Sequence, residues 1–182
     1  MQFDYAPLQV LIVEDHEYTR LLIKDVLENL GCSKSNICEA DDGSSALTVL
    51  KEKRVHLIIS DWKMEPMDGL TFVRTLRDPQ KSEDPFVPFI LCTAFTDRDL
   101  IERARDMGVT EVMAKPITVK AIDEKVRSII ESPRPFVDSS QYFGPDRRRR
   151  SDGVAPDVDR RKKRRTVIKQ VKDPEALKNA GG

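Results

Sequence analysis

The stretch LIISDWKMEPMDGL, residues 57–70, decides the fold class of this 182-residue chain. An apolar, β-branched run over residues 55–60 begins two positions before this stretch and stops at Asp61. A run of this kind is typical of a strand that is buried on both faces. A loop then leads through Asp68 and Gly69 into an apolar segment with helical spacing. The stretch therefore predicts a strand, a loop and a helix.

The same alternation of apolar runs and amphipathic segments extends through the first 131 residues. It predicts strands at 8–13, 36–40, 55–60, 89–93 and 109–114, and helices at 20–31, 43–53, 70–77, 97–108 and 119–130. A strand whose sequence is an unbroken apolar run is buried on both faces, so helices must cover both sides of the sheet. The predicted fold class is therefore α/β, with a doubly wound, five-stranded parallel sheet.

The charge is distributed unevenly between the two parts of the chain. Residues 1–131 contain 17 basic and 24 acidic residues, a net charge of −7, whereas residues 132–182 contain 14 and 7, a net charge of +7. The second part is interrupted by five prolines and has no apolar periodicity. We therefore predict a folded domain over 1–131 and a flexible, disordered basic tail over 132–182, with a protease-resistant fragment ending near Arg134.

The composition also predicts a compartment. The three cysteines lack metal-ligand spacing, and no apolar run reaches the ~18 residues of a membrane span. The first ten residues lack the pattern of a signal peptide. These features predict a cytoplasmic protein without membrane insertion.

Polar side chains stand where four of the predicted strands end. Glu14 and Asp15 follow the first strand, Asp61 follows the third, Thr93 ends the fourth and Lys115 follows the fifth. In doubly wound sheets the ligands bind at the carboxyl ends of the strands. Carboxylates that lie close together repel each other unless a cation sits among them, and hard oxygen ligands suit Mg²⁺. The sequence therefore predicts a Mg²⁺ site beside a hydroxyl and an ammonium group.

Four motifs carry a resemblance to a known family: LIVED (11–15), LIISDWKMEPMDGL (57–70), LCTAF (91–95) and VMAKPI (112–117). In these motifs the chain resembles the receiver domain of bacterial response regulators, the CheY-like, flavodoxin-like fold. The resemblance covers residues 8 to about 131. It implies a phosphorylation-controlled signalling switch rather than an enzyme that turns over an outside substrate.

The resemblance also implies a role for each site residue. Asp61 would be the phosphoacceptor, and Mg²⁺ would be held by Glu14, Asp15, Asp61 and the backbone carbonyl of Lys63. Thr93 and Lys115 would contact the phosphoryl group.

Two further positions bear on the switch. The Lys115–Pro116 peptide bond is cis in the family. The aromatic switch residue three positions before the lysine is replaced here by Val112, so Phe95 or the tail is the expected substitute.

The implied partners are a histidine kinase or phosphotransfer protein and a downstream target protein, with a flagellar motor or chemotaxis component as the candidate. A DNA-binding output domain is not expected, because the 51 mostly polar residues 132–182, with five prolines, cannot form a helix-turn-helix. The alternative is a phosphorylation-independent adaptor whose basic tail binds nucleic acid or another anionic partner.

The basic residues of the tail fall in two runs, DRRRR (146–150) and DRRKKRR (159–165). Three interpretations stay open: a solvated charge run, a tail that folds over the acidic body, and a binding site for cyclic di-GMP. Arginine side chains can grip phosphates and pair with guanine edges. The arrangement resembles the arginine-rich tails of CheY-like cyclic di-GMP effectors. The candidate ligand-binding residues are Arg147, Arg148, Arg149 and Arg150.

Overall fold

A five-stranded parallel sheet with helices on both faces forms the body of the protein. The computed structural model describes residues 3–94, 97–139, 142–146 and 166–168. Along the chain the elements are β1 (Val10–Val13), α1 (Glu17–Asn29), β2 (Ile37–Ala40), α2 (Gly43–Glu52), β3 (Leu57–Asp61), α3 (Gly69–Leu76), β4 (Phe89–Thr93), α4 (Arg98–Asp106), β5 (Glu111–Ala114) and α5 (Val119–Glu131). The strand order is β2-β1-β3-β4-β5, which confirms the predicted fold class.

The two faces of the sheet bury separate apolar layers. Alternate residues of the central strands point to opposite faces, as the pleat of a strand requires. Ile12, Ile59 and Ile90 pack with residues of α1 and α5, whereas Leu11 and Ile58 pack with residues of α2, α3 and α4. This arrangement explains why the strands read as continuous apolar runs rather than as alternating ones.

Side-chain caps start four of the helices. The carboxylates of Asp42, Asp68 and Asp97 accept hydrogen bonds from backbone N–H groups of the first turn, as does the Thr118 hydroxyl. α1 is the exception, because its N-cap residue His16 makes no side-chain capping bond. Sequence periodicity places the start of α1 at residue 20, whereas the helix begins at Glu17.

A second, antiparallel sheet follows the body. It consists of β6 (Phe136–Ser139), β7 (Tyr142–Pro145) and β8 (Thr166–Ile168), in the order β7-β6-β8. The sequence predicts no regular structure beyond residue 131, so the structure differs from that expectation over these strands. The reason is tertiary: aromatic rings of β6 and β7 pack on Phe86 of the body.

Some predicted features lie outside the described residues: Phe95, the candidate ligand-binding residues Arg147–Arg150, and the basic run at 159–165. No helix in the described ranges has both the length and the apolar character that crossing a bilayer demands.

Candidate functional site

The predicted polar residues lie at the carboxyl ends of four strands, along one edge of the sheet. β1 pairs with β3, β3 with β4 and β4 with β5, all in parallel, so their carboxyl ends stand side by side. Glu14 follows β1, Asp61 ends β3, Thr93 ends β4 and Lys115 follows β5. Glu14, Asp61 and Thr93 are buried at this edge. The structure thus gathers the residues that the sequence places at separate strand ends.

Three carboxylates of this edge form a cluster. Glu14, Asp15 and Asp61 each offer an oxygen, and these oxygens lie within 4.8 Å of one another. Asp15 is exposed, whereas the other two are buried. Carboxylates at this spacing, with one side open to water, have the chemistry that Mg²⁺ prefers. The donor set therefore fits the predicted metal.

One ammonium group bridges the two buried carboxylates. The Nζ atom of Lys115 lies 2.8 Å from Oδ1 of Asp61 and 3.0 Å from Oε2 of Glu14. Burial alone would lower the pKa of Lys115, but its hydrogen bonds to Asp61 and Glu14 outweigh this effect, and the pKa is raised. Lys115 therefore stays protonated and serves both anions.

The electrostatics of Glu14 show that this neutralisation is incomplete. Burial raises the pKa of the Glu14 carboxyl; the hydrogen bond from Lys115 opposes the change, and the charge of Asp61 adds to it. The net direction is upward, so the pocket disfavours a second negative charge. A bound cation would reduce the electrostatic repulsion between these carboxylates.

The backbone around Asp61 is held by close packing of the following loop. The Ser60 hydroxyl donates to the carbonyl of Asp61 (2.9 Å), and the N–H of Gly69 donates to the carbonyl of Trp62 (2.9 Å). A Cβ atom on Gly69 would lie 2.2 Å from the Asp61 carbonyl oxygen and 2.9 Å from Cδ1 of Leu91. Only glycine lets α3 begin this close to the end of β3. Sequence inspection found Gly69 but not this role.

Sequence reasoning also missed Arg20. Its guanidinium donates to the backbone carbonyl of Glu14 and forms an ion pair with Glu39 at 3.4 Å. Lys24 forms a second ion pair with Glu39. The first contact fastens α1 to the segment that carries Glu14 and Asp15, and the ion pairs with Glu39 fasten α1 to β2. No sequence signal marks Arg20, because the contact depends on how α1 lies over the sheet.

The other predicted positions lie near the site. Lys63 follows Asp61 by two residues, and its ammonium lies 5.7 Å from the centre of the Trp62 ring. The Lys115–Pro116 peptide bond is cis, as the resemblance implies. Val112 is half-buried and packs against the core layer that contains α4. The metal role of Lys63 stays a prediction.

Comparisons with known proteins identify the family. The family model described as the response regulator receiver domain matches residues 10–127. The chain is 38% identical over 125 residues to "Probable chemotaxis protein CheY" of Rhizobium etli, covering 69% of this chain and 91% of that protein. It is 34% identical over 124 residues to "Chemotaxis protein CheY" of Pseudomonas aeruginosa, covering 68% and 97%.

A solved structure adds a similar fold. The receiver domain of a sensor histidine kinase from Pseudomonas aeruginosa, solved with a magnesium ion in its active site cleft, is 25% identical, with a TM-score of 0.59. The match covers 68% of this chain and 97% of that one. The chain belongs to the response regulator receiver domain family and is a CheY-like receiver of two-component signalling.

Proposed function

We propose that Asp61 accepts a phosphoryl group and that its phosphorylation changes which protein this chain binds. The observation that carries the proposal is the buried Asp61 carboxylate, which faces the ammonium of Lys115 at 2.8 Å and shares a cluster with Glu14 and Asp15. A nucleophile, a cation and a set of metal ligands at one strand edge suit phosphoryl transfer. The protein then acts as a signalling switch.

The chain's own residues have distinct roles in this step. A carboxylate oxygen of Asp61 forms a bond to phosphorus while the bond from phosphorus to the donor's leaving group breaks, and the leaving group departs with the electron pair. Lys115 exchanges its carboxylate partner for a phosphoryl oxygen, and the Thr93 hydroxyl donates to another. Glu14, Asp15, Asp61 and the carbonyl of Lys63 would hold Mg²⁺, which supplies charge neutralisation when bound.

An apolar surface on α1 offers a docking place for the phosphodonor protein. Tyr18, Leu21 and Leu22 expose 78%, 44% and 48% of their surface on this helix. α1 begins two residues after Asp15, so this surface borders the pocket that a donor's phosphohistidine must reach. Exposed apolar side chains beside a reactive site are typical of protein docking. The proposed donor is a histidine kinase or a phosphotransfer protein.

The proposed target is a component of chemotaxis, which the names of the relatives support, and a flagellar motor component is a further candidate. The experiment compares the proteins captured by the purified chain with and without beryllofluoride, an acyl-phosphate mimic. A target retained only with beryllofluoride, and lost in Asp61→Asn, supports the switch. Identical capture under both conditions would favour the phosphorylation-independent adaptor.

A second candidate function concerns the basic segment between β7 and β8. Both of these strands pair with β6, so Pro145 and Thr166, the nearest strand residues on either side of the segment, lie beside the same strand. We propose cyclic di-GMP, whose phosphates and guanines match the four arginines Arg147–Arg150.

Calorimetry with cyclic di-GMP, with GTP as the competitor, tests this second function. Saturable binding of cyclic di-GMP that is lost in a variant with all four arginines changed to alanine supports it. Equal weak binding of any nucleotide, falling steeply with salt, would leave a non-specific polycation of the kind that binds nucleic acid.

A further inference from the structure

A buried arginine lies at the edge of the sheet opposite to the phosphoacceptor pocket. Arg77 ends α3 and exposes only 4% of its surface. Its Nε atom donates to the carbonyl of Gly108 at 3.0 Å, and its Nη1 atom donates to the carbonyls of Pro85 and Val87 at 2.6 and 2.8 Å. The side chain therefore ties together the turns that precede β4 and β5.

An aromatic cluster of the second sheet covers this arginine. The guanidinium carbon of Arg77 lies 5.1 Å from the centre of the Phe136 ring. Phe136 in turn contacts Phe86 (5.1 Å between ring centres) and Phe143 (5.9 Å), and Phe86 contacts Phe143 at 5.2 Å. Phe86 of the body and Phe136 and Phe143 of the second sheet thus form one aromatic cluster beside the guanidinium of Arg77.

β7 lies in close contact with the turn that follows α4 in the body. A Cβ atom on Gly144 would lie 3.1 Å from the Cα atom of Gly108 and 2.6 Å from the Tyr142 hydroxyl oxygen. That hydroxyl lies within hydrogen-bond distance of the carbonyls of Pro145 (2.7 Å) and Arg105 (3.4 Å). Gly144 therefore favours the close approach of β7 to the turn after α4, because a larger residue would displace its neighbours.

Polar contacts hold the chain in place just before β6 and just after β7. Arg134, just before β6, pairs with Glu111 of β5 at 3.0 Å, and Glu111 also pairs with Lys125 of α5. After β7, the N–H of Asp146 donates to the carbonyl of Pro135 at 2.8 Å. The chain thus returns to its point of departure before the basic segment begins.

The second sheet contributes to stabilising the buried charge of Arg77. Its three acceptors are backbone carbonyls, its Nη2 atom has no hydrogen-bond partner within the described residues, and burial lowers its pKa to about 9. A desolvated cation is costly, and the charge of Asp84 only partly opposes this effect on Arg77. The carbonyl bonds and the Phe136 ring compensate for that cost, and the ring comes from the extension.

We propose that residues 136–139 and 142–146 form an extension of the receiver that docks on Arg77 and anchors the start of the basic segment at the edge of the sheet opposite Asp61. The folded unit then extends beyond residue 131 and includes β6 and β7. This proposal depends on neither phosphorylation nor a nucleotide ligand.

Limited proteolysis with chymotrypsin, read by mass spectrometry on the full chain, tests the proposal. The cleavage sites Phe136, Tyr142 and Phe143 lie in the extension, and docking protects them. Arg77→Met leaves all three sites in place and removes the seat, so their cleavage is expected to accelerate about tenfold or more. Arg74→Met, on the exposed face of the same helix, is the matched control and leaves the rate unchanged.

Gly144→Val provides a second variant in case Arg77→Met does not fold. It disturbs only the approach of β7 and is expected to accelerate the same cleavages while circular dichroism shows a folded body. Cleavage of the unmodified chain at Phe136 as fast as in an unstructured peptide would overturn the docked extension. An unchanged rate in folded Arg77→Met would remove Arg77 as its seat.

Discussion

The ammonium nitrogen of Lys115 lies 2.8 Å from a carboxylate oxygen of Asp61, although 54 positions separate the two residues in the chain. The same nitrogen lies 3.0 Å from Glu14, so one positive charge serves two buried anions, and Asp15 stands beside them. Negative charge is therefore in excess in the cluster. The proposed metal binding and the proposed phosphorylation of Asp61 would both act on this imbalance.

Mg²⁺ is expected to bind the carboxylate cluster and to stabilise the fold. Asp15→Asn removes an exposed ligand without disturbing the core, and it should weaken Mg²⁺ at least about tenfold, since even partners of metal ligands have effects of that size. Titration of the Trp62 fluorescence measures the affinity, because Trp62 follows Asp61 directly. Asp25→Asn, an exposed change on α1, is the control. Equal affinities in the two variants would contradict the site.

Lys115→Met is expected to destabilise the metal-free protein by about 2 kcal/mol, because it leaves Glu14 and Asp61 without their shared cation. The loss stays moderate since 26% of the Lys115 side chain is exposed. Saturating Mg²⁺ should recover much of the difference. Urea unfolding with and without the metal measures this, and Lys120→Met, 85% exposed, is the control. A loss that Mg²⁺ does not change would argue against a shared charge balance.

Gly69→Ala is expected to cost about 1–3 kcal/mol through overpacking. Its new Cβ would meet the backbone carbonyl of Asp61 at 2.2 Å, and a backbone atom cannot swing aside as a flexible side chain can. The displaced carbonyl should also slow phosphorylation of Asp61. Ser44→Ala, an exposed change in the first turn of α2, is the matched control for thermal unfolding. Equal melting temperatures would contradict the close approach.

Alkaline pH is expected to weaken the fold through Tyr5. Burial, followed by the 2.6 Å hydrogen bond to Asp123, raises the pKa of the Tyr5 hydroxyl above its usual 10.0. The folded state therefore keeps a proton that the unfolded state loses, so the free energy of unfolding falls as pH rises above about 10. Tyr5→Phe should flatten this decline above about pH 10, while Tyr18→Phe, 78% exposed, should not.

The strand edge that carries Glu14, Asp61, Thr93 and Lys115 could be predicted because parallel strands bring their carboxyl ends together. The roles of Gly69 and Arg20 could not, since both depend on close approaches between elements. Residue types and spacings show which groups meet at an edge, but they do not show how tightly the neighbouring segments pack.

The second sheet escaped prediction for a related reason. β6 and β7 are four residues each, and the prolines and charges around them indicate an unstructured segment. Phe136 and Phe143 pack on Phe86, which lies 50 and 57 positions earlier in the chain, and this packing orders the two strands. Short strands that depend on the body for their apolar cover carry little signal of their own.

Intact-mass spectrometry after incubation with acetyl phosphate tests the central claim most directly. The unmodified chain is expected to gain one phosphoryl group in the presence of Mg²⁺ and none when the metal is chelated. Asp61→Asn should gain none under either condition, whereas the surface variant Asp25→Asn should match the unmodified chain. Full incorporation into Asp61→Asn, or equal incorporation with and without Mg²⁺, would contradict the assignment of Asp61 as the phosphoacceptor.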